Sequence, residues 1–421
     1  MKLNYKRTMF IGMAFLGILA FWQLYDVIIP LILENTFHLD KTLTGFIMSL
    51  DNILALFLLP IFGSMSDKVN TKIGKRMPFI TIGTLIAVIG LMIIPYANNI
   101  ENFLLFNIAL AIVLLATASY RSPAVALMPD LTPKPLRSKA NAIINLMGTL
   151  GAVITLLAIK LLVPHVDKPD YTILFAAVAG VMLVSLIVLR VSINEPKLSK
   201  EISIQYPEVN ELKEIGEKLP KDVYKSLILL LVSIFFWFAA YNGVTTAFSR
   251  YALAMWGMKE GDVAMSLMVA TVVAVISYIP AGMIASKIGR KKTILLGIVF
   301  VSITYTLGIS FKNFDAYVYI AFAIMGIGWA FINVNSFPMV VEMSKKGDIG
   351  KYTGTYYTAS MAAQIMTPIL SGFLMQNFGY AILFPYALFF SILSFITMSF
   401  VKHGDSEAKA VKSLEAFDIE A

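Results

Sequence analysis

Three charged residues stand inside long apolar stretches, where a charge needs a reason. Asp26 lies in the run from Thr8 to Leu33, Asp51 in the run from Leu43 to Ser64, and Arg121 in the run from Asn102 to Met128. An ionisable side chain at the centre of a bilayer costs roughly 2.5–3.5 kcal/mol on insertion scales, so each is a functional candidate by default. In a helix, Trp22 falls one turn before Asp26 and Pro30 one turn after it, on the same face. Tyr25 and Gln23 flank them. A carboxylate beside an indole suits a sugar, because the acid accepts from hydroxyls while the ring covers the apolar face. The same carboxyl group is also a candidate to carry a proton, or an interior acid held in an ion pair. Asp51, followed by Asn52, sits where the second stretch would neighbour the first and could share a proton or cation with Asp26. Arg121 could bind solute hydroxyls, bind a carboxylate on an acidic sugar, or neutralise one of the two acids.

The second half of the chain offers neutral groups instead. Trp237, Tyr241 and Thr245 recur every four residues, with Asn242 beside Tyr241. Trp329, Asn333 and Ser336 share one helical face, with Asn335 close by, and Tyr357, Ser360, Gln364 and Thr367 form a further stripe. Hydrogen bonding and packing between membrane helices would account for each stripe on its own. Carboxylates in one half facing amides and aromatic rings in the other would suit a neutral, hydroxyl-rich solute.

The elements that must position these groups are membrane helices. Of 421 residues, 58% are hydrophobic and 14% charged, against about 25% charged in soluble domains, and the mean hydropathy is +0.77. About 20 apolar residues cross the hydrocarbon core. Twelve such stretches are predicted, at roughly 8–33, 43–64, 78–96, 102–128, 140–163, 171–192, 224–249, 263–286, 293–311, 315–341, 354–376 and 380–401. The fold class expected is an all-α membrane protein of two pseudo-symmetric six-helix bundles. The predicted parts are residues 1–193, a charged linker over 194–222 with Pro196, Pro207 and Pro220, a second bundle over 223–402 and a tail over 403–421. The basic clusters, among them Lys68, Lys72, Lys75, Arg76, Arg137, Lys139, Lys287, Arg290, Lys291 and Lys292, fall on one side if the N-terminus is inside. That asymmetry predicts two cytoplasmic termini in a cell membrane. The net charge of +8 is therefore assigned to topology, and no nucleic-acid partner is expected. The run after Lys2, Lys6 and Arg7 is too long for a signal-peptide core and is read as an uncleaved first span.

Several chemistries are excluded. With no cysteine and only His38, His165 and His403, widely spaced, no thiol chemistry, disulfide framework or metal site is expected. No phosphate-cradling glycine loop, HExxH or Gly-x-Ser-x-Gly is present, so the chain is not expected to be an enzyme or ATP-driven, and no cofactor is predicted. The halves carry matching landmarks. Tyr25-Asp26 and Glu34 match Tyr241-Asn242 and Arg250 at a common offset. Gly63 and the basic loop after it match Gly282 and Ser286–Lys292. Asp130 and Lys139, nine residues apart, match Glu342 and Lys351. Repeated halves around a central site are a recurrent plan of transporters.

The segment Gly63-Ser-Met-Ser-Asp67-Lys68-Val-Asn-Thr71-Lys72-Ile-Gly74-Lys75-Arg76-Met-Pro78-Phe-Ile resembles the loop between the second and third helices of the major facilitator superfamily. Its extended form is similar to that of the glycoside–pentoside–hexuronide:cation symporters and the sucrose:proton symporters. Tyr120-Arg121-Ser122-Pro123, Met128-Pro129-Asp130-Leu131, Arg137-Ser-Lys139-Ala-Asn141 and Gly354-Thr-Tyr356-Tyr357 extend the likeness. The resemblance implies proton- or cation-coupled symport of a sugar or glycoside by alternating access, in a chain expected to act as a monomer in the lipid bilayer. It implies that Asp67, Arg76, Asp130, Arg137 and Glu342 gate the cytoplasmic side, while residue type and helical spacing point to Trp22, Tyr25, Asp26, Arg121, Tyr241, Asn242, Trp329, Asn333 and Gln364 around the solute. Asp26 and Asp51 would carry the coupling ion. The melibiose-type branch places two carboxylates one turn apart in the second helix, whereas Ala55 stands one turn after Asp51 here, which favours H+ over Na+. That branch also places a lysine inside the eleventh helix, where this chain has none. Efflux of drugs or metabolites against protons is the alternative, disfavoured because the fifth span lacks a proline before Pro164.

Overall fold

A computed structural model describes residues 3–133, 136–164, 166, 169–205, 219–343 and 349–405. His165, part of the linker and the tail beyond 405 lie outside the described residues. Twelve helices long and apolar enough to cross a membrane occur among those described. In the first half these are α1 (Tyr5–Leu31, continued by a π turn over Ile32–Thr36), α2 (Lys41–Lys68), α3 (Met77–Asn99), α4 (Phe103–Asp130), α5 (Arg137–Leu162) and α6 (Thr172–Ser192). A short helix, α7 (Glu195–Gln205), opens the linker. The second half holds α8 (Lys221–Trp256), α9 (Glu260–Ile288), α10 (Arg290–Ser310), α11 (Tyr317–Glu342), α12 (Ile349–Phe378) and α13 (Leu383–Ser399), the last entered through a tight turn over Tyr380–Ile382.

All twelve predicted spans are present, and the differences in their ends are instructive. The seventh was expected to stop near residue 249, where Arg250 interrupts the apolar run, yet α8 continues to Trp256. A charge ends a span only if it must reach water. Arg250 instead pairs with Glu34 at 2.7 Å, so the helix can continue. Gly257, with φ of 61°, then ends α8 in the left-handed conformation open to glycine. Side chains cap other starts: Asp40 accepts from the Leu43 amide at 2.8 Å and Asn102 from that of Leu105 at 2.9 Å.

Packing repeats between the halves. Within the first, α1 lies against α5 and α6, α4 against α2 and α3, and α3 against α6. The corresponding contacts in the second are α8 with α12 and α13, α11 with α9 and α10, and α10 with α13. Between the halves α2 meets α12, α5 meets α9, and α1 meets α8. Small residues let backbones approach there. A Cβ on Gly45 would stand 2.0 Å from the Pro368 carbonyl oxygen, and one on Gly372 would stand 2.3 Å from that of Lys41. These contacts lie on the face opposite the two termini.

On the termini face, the loop joining α2 to α3 turns on Gly74, whose φ is 114°. Its amide donates to the Thr71 carbonyl at 3.1 Å. Glu195, at the start of α7, then accepts from the amides of Lys75, Arg76 and Met77 at 2.8, 3.0 and 2.9 Å, placing a carboxylate at the positive end of α3. A Cβ on Gly74 would come within 2.1 Å of that carboxylate. Gly74→Ala is expected to lower stability by about 1–3 kcal/mol through backbone strain and the displaced cap. Gly180→Ala, in α6 with open space around it, is expected to be neutral or to stabilise by about 0.5–1 kcal/mol. Unfolding of the purified proteins in detergent separates the two.

Candidate functional site

A cavity of about 540 Å³ lies between the halves, on the termini side of the contacts that close the opposite face. The first half contributes α2 and α4 to its wall, through Asn52 and Arg121 among others. Arg121 holds its guanidinium 5.7 Å from the ring centre of Trp22, a cation–π arrangement. Its charge is felt by Asp51, whose carboxylate accepts from the Asn52 side-chain Nδ2 at 2.8 Å, and Asp51 in turn acts electrostatically on Asp26. The three charges singled out in the sequence thus form one group, with Arg121 on the cavity wall. Tyr25 stands behind it. It is 1% exposed, and its hydroxyl donates to the carbonyls of Ile47 and Met48 at 3.3 and 3.4 Å, fixing α1 against α2.

The second half faces this group with aromatic and amide side chains. Trp329, Asn333 and Gln364 line the cavity, with Phe238, Tyr356 and Tyr357. Tyr241 stacks on Trp329 with centroids 3.7 Å apart and planes 10° apart, while Phe238 meets the same indole edge-on at 5.3 Å. Trp329 is therefore clamped as a rigid platform, with Tyr241 as its backing. Asn242 lies next in α8, its side-chain nitrogen buried and without a hydrogen-bond partner. Asn335 is buried and donates to the Phe331 carbonyl at 2.9 Å, and Ser336 shares a hydrogen bond with Tyr356 at 3.2 Å.

The termini-face charges form two clusters, each within one half. Arg76, 4% exposed, donates from Nε to Asp130 at 2.8 Å and pairs with Asp67 and Ser66. Lys75 adds a contact to Asp130 at 3.1 Å. Arg137 donates to the Thr132 carbonyl at 3.2 Å. In the second half Arg290 pairs with Glu342, and Asp405 accepts from the Lys291 amide at 3.1 Å, just as Glu195 caps α3. These pairs brace the ends of α2, α3 and α4, or of α10 and α11, and do not span the halves. The ion pairs that join the halves in this conformation lie on the other face. On the opposite face, Glu34 pairs with Arg250, their side chains 9% and 1% exposed, and accepts from the Tyr380 hydroxyl at 2.5 Å. Lys160 pairs with Asp262 at 2.7 Å, and the Thr42 amide donates to Gln376 at 3.2 Å.

Sequence reasoning missed Glu195, the Glu34–Arg250–Tyr380 group and the Lys160–Asp262 pair. Glu34 and Arg250 carried a signal, because they occupy equivalent positions 216 residues apart. Glu195 carried none, since nothing local links it to a loop 119 residues earlier.

Comparison with known proteins follows this geometry. A family profile described as Major Facilitator Superfamily matches residues 9–277 and 253–419. The chain is 27% identical to the sucrose transport protein SUC3 of Arabidopsis thaliana over 139 residues, which is 28% of this chain and 23% of that protein. Among solved structures, a bacterial homologue of the iron transporter ferroportin in an inward-facing state superposes with a TM-score of 0.67 at 12% identity, covering 94% of this chain and 99% of the other. The POT family transporter PepTSo gives 0.68 at 11% identity, with 94% and 98% covered. A bacterial homologue of the lysosomal transporter Spinster gives 0.64 at 12% identity over the whole of both chains. At these identities the structures are similar in fold alone.

Two outcomes are expected. Because the chain has no cysteine, single-cysteine variants report access directly. Asn333→Cys and Gln364→Cys should react with a water-soluble maleimide roughly tenfold faster than Tyr25→Cys, as mass spectrometry of the purified protein would show. Arg250→Ala, by stranding Glu34, should destabilise this closed form by about 3–5 kcal/mol, and adding Glu34→Gln should recover most of the loss, measured by unfolding in detergent.

Proposed function

The chain belongs to the Major Facilitator Superfamily, and from that premise we propose that it is a secondary active symporter taking up a sugar or glycoside with a proton or other small cation. The superfamily makes it a multi-pass membrane transporter of a small molecule rather than an enzyme. The finer reading rests on one observation, the division of the cavity wall. Arg121, coupled to Asp51 and Asp26, faces a clamped indole flanked by Asn333 and Gln364. A hydroxyl-rich ring needs an apolar platform for one face and several donors and acceptors around its rim, and the second half offers both. The partial match to a sucrose transport protein supports the same substrate class.

Coupling is assigned to the acid pair. Occupancy by a cation or proton shifts a two-state equilibrium only through its differential affinity for the two states. Asp26 and Asp51 sit where α1 and α2, which reach across to the other half, would carry that difference. The basic loops support a reading in which the termini face, with the cavity in this conformation, is the cytoplasmic side of a cell membrane.

The reading is tested in proteoliposomes. A sugar present at about 100 times its Kd should stabilise the wild type by about 2.7 kcal/mol. An imposed proton or sodium gradient should drive its accumulation. Asp26→Asn should reduce accumulation to simple equilibration while leaving sugar exchange across the membrane intact. Full accumulation by Asp26→Asn would remove Asp26 as the coupling site, and the absence of any stabilising sugar would remove the substrate class.

A further inference from the structure

We infer that Asn52, on α2, is a specificity-determining residue whose amide reports the occupancy of Asp51 to the solute. The inference rests on the reading of this cavity as the solute site and of the acids beside it as the coupling site. Its starting point is a hydrogen bond between neighbours in sequence. Asn52 donates from Nδ2 to Oδ1 of Asp51 at 2.8 Å. Successive residues on a helix do not ordinarily face each other, so this contact needs both side chains to lean together. Asn52 lines the cavity, whereas Asp51 stands outside that lining. One end of the amide is therefore held by the acid, and the other is left to the cavity. Among the described hydrogen bonds, this is the one that joins the cavity lining to either acid. The helices packed against α2 bring Arg121 of α4, Asp26 of α1, and Tyr356 and Tyr357 of α12 toward the pair. Tyr25 of α1 commits its hydroxyl to the carbonyls of Ile47 and Met48.

Which end faces the cavity depends on the acid. An ionised carboxylate offers acceptors alone, so it holds Nδ2 and leaves Oδ1 toward the cavity. A proton on Asp51 adds an O–H donor, and a metal cation there attracts a carbonyl oxygen. Either occupant favours Oδ1 on the side of the acid. Rotation about the last side-chain bond then turns Nδ2 to the cavity. The wall thus exchanges an acceptor for a donor at one point, while Arg121, which offers donors alone, does not change. A solute oxygen placed at Asn52 accepts from Nδ2 when Asp51 is occupied. When Asp51 is ionised and empty, it meets the lone pairs of Oδ1 instead. Solute and cation affinities are tied by that difference, and the tie is reciprocal. In a symporter each must favour the other, so the group that the solute presents to Asn52 is an acceptor: a hydroxyl lone pair, or a ring or glycosidic oxygen.

The test has two arms, both on the purified full chain. In the first, without solute, asparagine is labelled for nitrogen NMR, and the Asn52 side-chain resonance is identified by its loss in Asn52→Ala. It should move on acidification or on adding sodium in the wild type and stay fixed in Asp51→Asn. A resonance that stays fixed in the wild type, or moves equally in Asp51→Asn, would overturn the inference. In the second arm, thermal shift at alkaline and mildly acidic pH, with and without sodium, screens mono- and disaccharides, nucleosides and amino acids. The dissociation constant of a compound that stabilises the wild type should fall about five- to tenfold in the acidic or sodium condition. It should fall by less than about twofold in Asn52→Ala and in Asn52→Leu, which keeps the side-chain bulk. Unfolding without solute checks that each variant is folded. A fall as large in both variants as in the wild type would overturn the inference. A stabilising compound that is not a sugar removes the substrate class proposed above, while both arms still read Asn52. If no compound stabilises the wild type, the reading of the cavity fails and the inference with it, whereas a fixed resonance beside a stabilising sugar sinks the inference alone.

Discussion

A charge inside hydrocarbon must find a counter-charge, a dipole or water, and the architecture of this protein follows from how it meets that demand. Two solutions are present within the spans. Glu34 and Arg250 neutralise each other at 2.7 Å with both side chains almost wholly buried, and Tyr380 adds a hydrogen bond to the same carboxylate. Asp26, Asp51 and Arg121 are instead gathered beside a cavity, with Arg121 on its wall and stacked over Trp22. The first arrangement neutralises both charges across the halves, although Nε and Nη2 of Arg250 are buried without a hydrogen-bond partner. The second has Arg121 facing the cavity, with the two acids behind it.

At the membrane boundary the same demand is met by helix ends. Arg76 gathers Asp67, Asp130 and Ser66, while Glu195 answers the exposed amides of α3. Arg290, Glu342 and Asp405 repeat the device in the second half. The pairs described in these clusters each join helix ends of one bundle. Contacts between the halves lie on the opposite face, where Lys160–Asp262 and the close backbone approaches at Gly45 and Gly372 join Glu34–Arg250.

Much of this was legible in the sequence because the bilayer makes the signal strong. All twelve spans follow from hydropathy, since about 20 apolar residues are needed for each crossing, and the three interior charges stand out as costly exceptions. The errors share a cause. The end of the seventh span was misplaced because Arg250 looks like a boundary until its partner is known. Spacing in sequence likewise does not say which bundle supplies the partner of a loop charge, and Arg76 finds Asp67 and Asp130 within its own half. Tyr25 looked like a ligand because it adjoins Asp26, although the helix turns its hydroxyl toward α2 backbone. Glu195 acts on a residue 119 positions away, and no local pattern records such a pairing.

The pairing of Glu34 with Arg250 has a consequence for a chain built from two similar halves. Residues at equivalent positions that touch must lie on or beside the rotation axis relating the halves, where each side chain faces its own counterpart. Strict symmetry would there set like against like: two glutamates or two arginines forced together in a dry interior. An attractive pair on the axis can exist only once the halves have ceased to be identical. The closure of this face is therefore a property that neither half contains and that two copies of either half could not reproduce. It belongs to the fused, diverged chain alone.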